Sequence, residues 1–450
     1  MFFLLLLFFE GAIGLTYQLL FLRQLSPAVG SSNEVTGWII GIFLGALSIG
    51  YKRGGQASNA PLHQLGINLL LCAAIAGTAG SSWFIHLFFE VGTVLLPSRL
   101  TTLALYCALF VAPVAYMMGQ SLPLLLQCNL RGRTVAEQGG NALSLSTIGS
   151  MAGAIIPTSL LAPWVGATNT LLINTALSIA IGCYLLQWQR KHIGLLSVAL
   201  LSQAALLFPY YGFPELKFTS TAHSDIYLIE DQTERMMYAN GLVMSSQTPA
   251  GKNTAAYISS FQQTLQWQNV QQKDVLVLGA GGFMAHTENV GKNRFTYVDI
   301  DQSLVEWATK HFKLDVSDVE KIVHNDARSF LLQSQNQQWP VIFMDTFGSR
   351  FAMPEHLMTS EFFALVRQKM SENGIFIVNA ILDPQFDTEF DRRFHETLSK
   401  EFPYCHVSQV TQDPGQANVM YTCFNRSRSG VYHDDRHTIS KDVWQARNSS

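Results

Sequence analysis

Charged residues are distributed very unevenly along this chain of 450 residues. Residues 1–210 carry only 12 charged side chains, while residues 211–450 carry the other 49. Because a soluble domain of that size needs far more charge on its surface, the first part of the chain is predicted to be a membrane domain. The second part has the composition of a soluble domain, so the predicted environment of the chain changes from lipid to water near residue 212.

Seven apolar segments in the first part approach the length of about 20 residues that a membrane-spanning helix needs. They lie near 2–22, 34–51, 66–88, 100–128, 141–162, 167–188 and 193–211. Six basic residues follow the second, fourth and sixth segments, and two lie in the other loops. The positive-inside rule then places the N-terminus in the cytoplasm, and seven spans place the second part of the chain outside.

Some residues inside these segments carry further information. Gly41 and Gly45 in the second segment, and Gly149 and Gly153 in the fifth, favour close packing of helix backbones. Glu10 is an acid in the middle of the first segment. A carboxyl group at that depth marks either a functional site or a protonated side chain that faces another helix, and the sequence leaves both open.

The second part begins with alternating polarity at 222–246, where Asn240-Gly241 is a strong hairpin signal. From residue 273 strands and helices alternate, which is typical of a parallel sheet covered by helices. The predicted strands are 274–279, 294–300, 321–325, 341–346, 374–381, 404–410 and 417–424, and the predicted helices include 302–312, 355–371 and 387–402. If the last two strands pair, Cys405 and Cys423 come close, which leaves a disulfide open.

These patterns predict four parts of the chain and a fold class. We expect a membrane domain over 1–211, a small β-hairpin unit and linker over 212–262, a Rossmann-like domain over 263–425 and a polar tail over 426–450. The predicted fold is therefore a multi-pass α-helical membrane domain followed by an α/β domain with a small β unit at its N-terminal side.

The first strand of the α/β domain ends in glycines, which are Gly279, Gly281 and Gly282. Glycines at this point allow a tight turn and the close approach of a ligand to the backbone. Asp299 lies 20 residues after Gly279, at the end of the second strand, where an acid can accept hydrogen bonds from ribose hydroxyls. The glycines, the spacing and the strand context together predict a nucleoside site.

Two further acids end the next strands, Asp326 the third and Asp345 the fourth. The carboxyl ends of parallel strands meet at one edge of the sheet, where open α/β sheets bind their ligands. A single aspartate at such a place is often only a helix cap. Three aspartates on successive strands favour a binding site at this edge.

These residues resemble the spermidine synthase family of polyamine aminopropyltransferases, and more closely the branch of that family that is fused to a membrane domain. The segment from Glu10 to Gln18, with Arg23, is similar to the first helix of that branch, and 354–362 is similar to its segment after the catalytic loop. The resemblance covers nearly the whole chain. It implies a methyltransferase-type Rossmann fold and a nucleoside donor, decarboxylated S-adenosylmethionine or S-adenosylmethionine.

The same resemblance implies roles for individual residues. In this interpretation Asp299 holds the ribose of the donor and Asp326 the adenine amino group. Asp345 faces the reacting centre, and Tyr257 orients the acceptor; no metal ion is expected. The residues that would contact the donor are Gly279, Gly281, Gly282, Asp299, Asp326 and Ala327.

Four positions depart from the family pattern. Gly282 stands where the family has an aspartate, and Gly348 stands where its second catalytic aspartate is expected. Met244 takes the place of a glutamine, and Ser259 that of an acid two residues after Tyr257. Because the missing groups are largely those that bind and deprotonate an amine, the resemblance supports a nucleoside site better than it supports polyamine chemistry.

Three functions are compatible with these observations. The first is aminopropyl transfer from decarboxylated S-adenosylmethionine to an amine by a membrane-anchored enzyme. The second, which the missing acids favour, is methyl or another sulfonium-dependent transfer to a membrane-associated acceptor. The third is a non-catalytic, nucleoside-binding sensor or transport-linked protein, which Glu10 and the two glycines favour.

The expected partners are the donor, the acceptor and the lipid bilayer; a homodimer is left open, and the acidic soluble part argues against nucleic acid. The chain is expected in the plasma (inner) membrane. Because sulfonium nucleosides are made in the cytoplasm, we expect the soluble part to face inward, although the loop charges argue the opposite. That expectation requires one apolar segment not to span, and 193–211 is the best candidate.

Overall fold

The computed structural model describes residues 2–30, 32–56, 58–128, 135–187, 189–211, 217–221, 223–240, 242–312, 319–346, 354–411 and 417–425. They form a bundle of apolar helices, a four-stranded sheet and a seven-stranded sheet with helices on its faces. The fold class predicted from the sequence, apolar helices followed by a Rossmann-like domain with a small β unit, is confirmed.

The helices of the first part are α1 (Phe2–Val29), α2 (Asn33–Gly54), α3 (Pro61–Ala79), α4 (Ser82–Leu95), α5 (Arg99–Tyr106), α6 (Ala112–Cys128), α7 (Val135–Ile155), α8 (Ala162–Val165), α9 (Ala167–Leu185) and α10 (Ile193–Tyr211). π-Helical turns at Cys107–Val111 and Ile156–Leu161 join α5 to α6 and α7 to α8. Pro113 and Pro157 lie beside or within these turns, because a proline cannot donate the regular helical hydrogen bond.

Within the described ranges, six helices are long and apolar enough to cross a membrane by length and composition. The prediction of one helix over 66–88 is wrong, since the chain breaks at Gly80 between α3 and α4. A Cβ atom at Gly80 would lie 2.2 Å from the side chain of Leu171. A larger residue at this break would therefore require the side chain of Leu171, on α9, to move.

Helices α1 and α7 pack closely through small residues. A Cβ atom at Gly149 would lie 2.0 Å from the carbonyl oxygen of Phe8, so the two backbones leave no room for a side chain. The predicted role of this glycine in helix packing is confirmed. For Gly41 and Gly45 it is wrong, because a Cβ atom there would meet nothing within 4 Å.

Helix α10 lies along α3. At the start of both helices, the Nε2 atoms of His63 and His192 are 2.9 Å apart. Further along, Ser202 Oγ donates a hydrogen bond of 3.2 Å to the carbonyl oxygen of Ala73. The two helices therefore run in the same direction side by side, and this arrangement favours 193–211 crossing the bundle together with α3.

The small sheet contains β1 (Lys217–Ser220), β2 (Asp225–Glu230), β3 (Arg235–Ala239) and β4 (Leu242–Gln247), paired antiparallel in that order. Asn240, in the turn between β3 and β4, has a φ of +50°. That left-handed conformation is what the predicted hairpin turn requires. Helix α11 (Ala256–Trp267) then leads into the large sheet.

The large sheet has the order β10-β11-β9-β8-β5-β6-β7. Its strands are β5 (Asp274–Leu278), β6 (Arg294–Asp299), β7 (Val319–His324), β8 (Trp339–Met344), β9 (Met370–Leu382), β10 (Cys405–Gln409) and β11 (Ala417–Phe424). Helices α12 (Ser303–His311), α13 (Ala327–Gln333), α14 (Ser360–Lys369) and α15 (Glu389–Glu401) lie between them. Strands β5 to β9 pair parallel, and β10 and β11 are antiparallel.

The connections of the sheet define where a ligand can bind. From β5 the chain adds β6 and β7 on one side and then returns to place β8 on the other side of β5. The crevice between β5 and β8 is therefore the topological switch point. At the antiparallel edge, Cys405 lies opposite Cys423 and a disulfide joins them.

Candidate functional site

The glycine loop after β5 lies against the end of β8. Gly279 has a φ of +88°, and a Cβ atom there would lie 2.0 Å from the carbonyl oxygen of Asp345. A side chain would therefore be excluded both by the backbone conformation and by the neighbouring strand end. The switch point thus brings the glycine loop and Asp345 together, as the strand-end pattern predicts.

Asp299 holds the same loop from the side of β6. Its Oδ2 accepts a hydrogen bond of 2.7 Å from the backbone N–H of Ala280, and its Oδ1 accepts one of 2.8 Å from that of Asp301. Burial raises the pKa of Asp299, and the two backbone hydrogen bonds oppose that rise. Because each carboxylate oxygen has two lone pairs, both can still accept a hydrogen bond from a ligand.

Asp345 is fixed by groups from two other elements. Asn379 in β9 donates a hydrogen bond of 2.9 Å to Asp345 Oδ1, and the hydroxyl of Tyr257 in α11 lies within hydrogen-bonding reach of the carboxyl group. Burial raises the pKa of Asp345 to about 6; the hydrogen bond from Asn379 and the nearby hydroxyl group of Tyr257 oppose the rise, and the charge of Asp299 adds to it. A carboxyl group of this kind can change protonation state near neutral pH.

The small sheet covers the glycine loop through β4. Ser245 Oγ accepts a hydrogen bond of 2.8 Å from the backbone N–H of Gly282, and Tyr257 donates one of 2.5 Å to the carbonyl oxygen of Met244. A Cβ atom at Gly282 would lie 2.7 Å from Ser245 Cβ and 2.9 Å from Phe312. An aspartate, which the family pattern has at position 282, would require these neighbours to shift.

Asp326 has two partners at the start of α13. Its Oδ1 accepts a hydrogen bond of 2.8 Å from the backbone N–H of Ser329, which caps the helix, and its Oδ2 lies 2.7 Å from His356 Nε2. Burial would raise the pKa of Asp326, but the bonds from His356 and Ser329 lower it below the usual value. Asp326 is thus a helix cap at the carboxyl edge of the sheet, with the buried Ala327 after it.

The structure adds residues that the sequence interpretation did not include. Asn379 is buried and is itself held by Asn418, whose Nδ2 donates a hydrogen bond of 2.9 Å to Asn379 Oδ1. Asn379 is the one polar residue in the run 375–382 of β9, and that is the signal that could have identified it. Ser245 and His356 reach the site from neighbouring elements, and no local sequence pattern marks them.

Ser259 and Gly348 are two of the positions that depart from the family pattern. Ser259, on α11, accepts a hydrogen bond of 3.0 Å from Asn253 Nδ2. Gly348 lies outside the described residues. Across the described part of the chain, no group of three or more His, Cys, Asp or Glu side chains is placed to hold a metal ion.

The sheet order, the glycine loop and the strand-end acids define a methyltransferase-type Rossmann domain. Residues 256–426 match the spermine/spermidine synthase domain. Residues 256–426 therefore carry a spermine/spermidine synthase domain. The resemblance stated from the sequence is confirmed for these residues.

Individual proteins are similar over different lengths. A polyamine aminopropyltransferase of Oceanobacillus iheyensis is 22% identical over 419 residues, which cover 86% of this chain and 78% of that protein. One of Vibrio vulnificus is 28% identical over 116 residues, which cover 25% of this chain and 38% of that protein. The structure of a probable spermidine synthase from Corynebacterium glutamicum matches 51% of this chain and 86% of that one, with 17% identity and a TM-score of 0.41.

Proposed function

We propose that this protein is an aminopropyltransferase-like enzyme held in a membrane, which moves an aminopropyl group from decarboxylated S-adenosylmethionine to an amine. The observation that carries the proposal is the arrangement of the glycine loop, Asp299 and Asp345 around one crevice of a spermine/spermidine synthase domain. In this proposal Gly279, Gly281 and Gly282, with Asp299, Asp326 and Ala327, bind the donor.

The proposed reaction is a single displacement. The acceptor nitrogen attacks the carbon of the aminopropyl group next to the sulfonium, the carbon–sulfur bond breaks, and its electron pair stays on sulfur to give methylthioadenosine. The nitrogen loses one proton. Asp345 is the group we assign to accept that proton or to stabilise the positive charge, and Tyr257 orients the acceptor beside it.

A second function competes with the first. Gly282 packs against Ser245 and Phe312, and the neutral amide of Asn379 holds Asp345. These neutral surroundings suit an acceptor that is not a diamine, so methyl transfer from S-adenosylmethionine to a membrane-associated acceptor is the alternative. The third possibility is that the protein binds a nucleoside without catalysis, and an experiment must distinguish it from the two enzymatic functions.

One experiment separates the three functions. The purified full-length protein is incubated with each donor and an amine or a membrane extract, and the nucleoside product is identified by mass spectrometry. Methylthioadenosine from the decarboxylated donor supports aminopropyl transfer, and S-adenosylhomocysteine supports methyl transfer. Tight nucleoside binding without either product would support the non-catalytic function and would contradict the enzyme proposal.

We also propose that the division at 211, 262 and 425 separates a membrane domain, a small β unit, the catalytic domain and a tail. The membrane placement is supported by the six long apolar helices. Helices α2 and α7 leave much of their apolar surface uncovered by protein, as Leu44 and Met151 illustrate with exposed fractions of 52% and 58%. Lipid would cover these faces in a bilayer.

The path of the chain relates the soluble part to one end of the helical bundle. Because α10 runs beside α3 and in the same direction, the soluble part lies at the end of the bundle opposite to the N-terminus. The loop charges favour a soluble part outside the cell, where the oxidising environment allows a disulfide such as Cys405–Cys423. The synthesis of the donor in the cytoplasm favours a soluble part that faces inward. Labelling a cysteine added at position 430 with an impermeant reagent in intact cells decides between the two.

A further inference from the structure

A cluster of buried polar residues joins the helical bundle to the α/β domain. It combines side chains from the end of α1, the start of α9, strands β1 and β2, and the loop after β6. Every one of them is more than nine-tenths buried. These residues are Gln24, Thr168, Ser220, Thr221, Asp225 and Asp301. Burying so many polar groups is unfavourable unless they are hydrogen-bonded, so their partners decide what the cluster does.

The bundle side of the cluster is tied to the small sheet. Gln24 Nε2 donates a hydrogen bond of 3.1 Å to Thr168 Oγ1, which in turn makes a long one of 3.5 Å to Asp225 Oδ1. The backbone N–H of Thr168 donates to Ser220 Oγ at 3.2 Å. The ends of α1 and α9 are therefore linked to β1 and β2 by side-chain hydrogen bonds.

The other side of the cluster reaches the donor site. Thr221 Oγ1 donates a short hydrogen bond to Asp301 Oδ2, while Asp301 Oδ1 accepts one of 3.1 Å from the backbone N–H of Ser303. With its carboxylate held on both sides, Asp301 directs its own backbone N–H to Asp299 Oδ1 at 2.8 Å. The backbone N–H of Ala167 on α9 donates a hydrogen bond of 3.4 Å to the carbonyl oxygen of Thr221, so a path of contacts runs from the bundle to the carboxylate assigned to the ribose.

A charge from the bundle strengthens this path. The guanidinium group of Arg23, on α1, attracts the carboxylates of Asp225 and Asp301. The end of α1 therefore supplies a positive charge to Asp225 and Asp301 and, through Gln24, a hydrogen bond to Thr168.

We propose that Asp301 is a positioning residue for Asp299, and that the ends of α1 and α9 keep it in place. The donor site would then be built jointly by the membrane bundle and the α/β domain. This inference rests on the proposed function, in which Asp299 binds the ribose of the donor. It explains why the two parts meet through buried polar groups at the edge of the sheet that binds ligands.

The test measures the affinity of the full-length protein for methylthioadenosine by calorimetry. Thr221→Val removes the hydroxyl group that holds Asp301 and keeps the size of the side chain. We expect the affinity to fall about tenfold, since a hydrogen bond to a charged group contributes on that order. Thr221→Ser, which keeps the hydroxyl, should restore the affinity, and Thr219→Val, two residues earlier in β1, should leave it unchanged.

A second pair of variants tests the link to the bundle. Thr168→Val removes the hydroxyl between Gln24 and Asp225, and we expect it to lower the affinity about threefold to tenfold. Thr170→Val is the matched control, because Thr170 is also buried on α9 but donates only to Gly166 of its own turn. Equal affinities of these two variants would contradict the role of the bundle.

A modified ligand separates positioning from general destabilisation. If Thr221 acts through Asp299 on the ribose, Thr221→Val should not weaken binding of 2′,3′-dideoxy-methylthioadenosine any further, because that ligand has no ribose hydroxyl to donate to Asp299. Equal weakening of both ligands would show a merely structural role and overturn the inference. Asp299→Ala tests the underlying site independently: if it leaves methylthioadenosine affinity unchanged, the proposed function fails. If it weakens binding while Thr221→Val does not, only the present inference fails.

Discussion

The two parts of the molecule each hold an acid in a sheltered position, and they do so differently. In the bundle, Glu10 on α1 accepts a hydrogen bond of 2.9 Å from Ser146 on α7, across a contact between two helices. In the α/β domain, Asp345 meets groups from three elements, which are Asn379, Tyr257 and the glycine loop at Gly279. The first acid sits between two helices, and the second sits where a sheet brings many strand ends together.

That difference follows from the geometry of the two architectures. Parallel strands all end at one edge, so acids on successive strands converge there even though they are far apart in the chain. A residue on a helix meets only the neighbours on its own face. We therefore expect the chemistry to depend on the α/β acids, and the bundle to act by holding them in place.

Replacing Asp345 with asparagine should give the largest effect. The substitution keeps the shape of the side chain and removes its charge, so turnover should fall by more than about a hundredfold, as is usual for the loss of a general base. Affinity for methylthioadenosine should stay within about tenfold, since the acid is assigned to the acceptor side. Steady-state kinetics and calorimetry measure the two quantities, and full activity would exclude a catalytic role.

Asp299→Ala should mainly affect binding of the donor. Loss of a charge-assisted hydrogen bond to the ribose should reduce the binding free energy by roughly 1.5–3 kcal/mol. Asp274→Ala is the control, because Asp274 begins β5 at the opposite edge of the same sheet, where it pairs with Arg294. Equal donor affinities of the two variants in calorimetry would remove Asp299 from the site.

The pH dependence should report on Asp345. Burial raises the pKa of this carboxyl group to about 6, so it is protonated below that pH and cannot accept a proton from the substrate. We expect kcat/KM to fall about tenfold per pH unit below the pKa, as for a single essential base. In Asp345→Asn the residual activity should lack this acid limb, and an unchanged limb would assign it to another group.

Glu10→Gln should have the smallest effect on the donor site. Glutamine has nearly the same shape, and its carbonyl oxygen can still accept the hydrogen bond from Ser146. We expect methylthioadenosine affinity to change less than about twofold, since the bond that orients this side chain is kept. A large loss of affinity would show that the acid of the bundle is coupled to the α/β site, and would break the contrast between the two parts.

The sequence predicted most of the α/β domain because its signals are local. Runs of apolar residues mark β5, β6 and β8, which are buried on both faces, and glycine or aspartate marks the end of each. The bundle was predicted less completely. The break at Gly80 and the open surroundings of Gly41 depend on which helix lies opposite, and a single segment carries no information about that.

Sequence alone determined the change of composition near residue 212, the order of the elements and the acids at the strand ends, because each rests on neighbouring residues. The tertiary structure decided which partners those acids have. Asn379 reaches Asp345 from a strand 34 residues later, and Thr221 reaches Asp301 across 80 residues. Such contacts form only when the strands of the two sheets have come together, since long-range pairs are set by the approach of whole elements rather than by local preference.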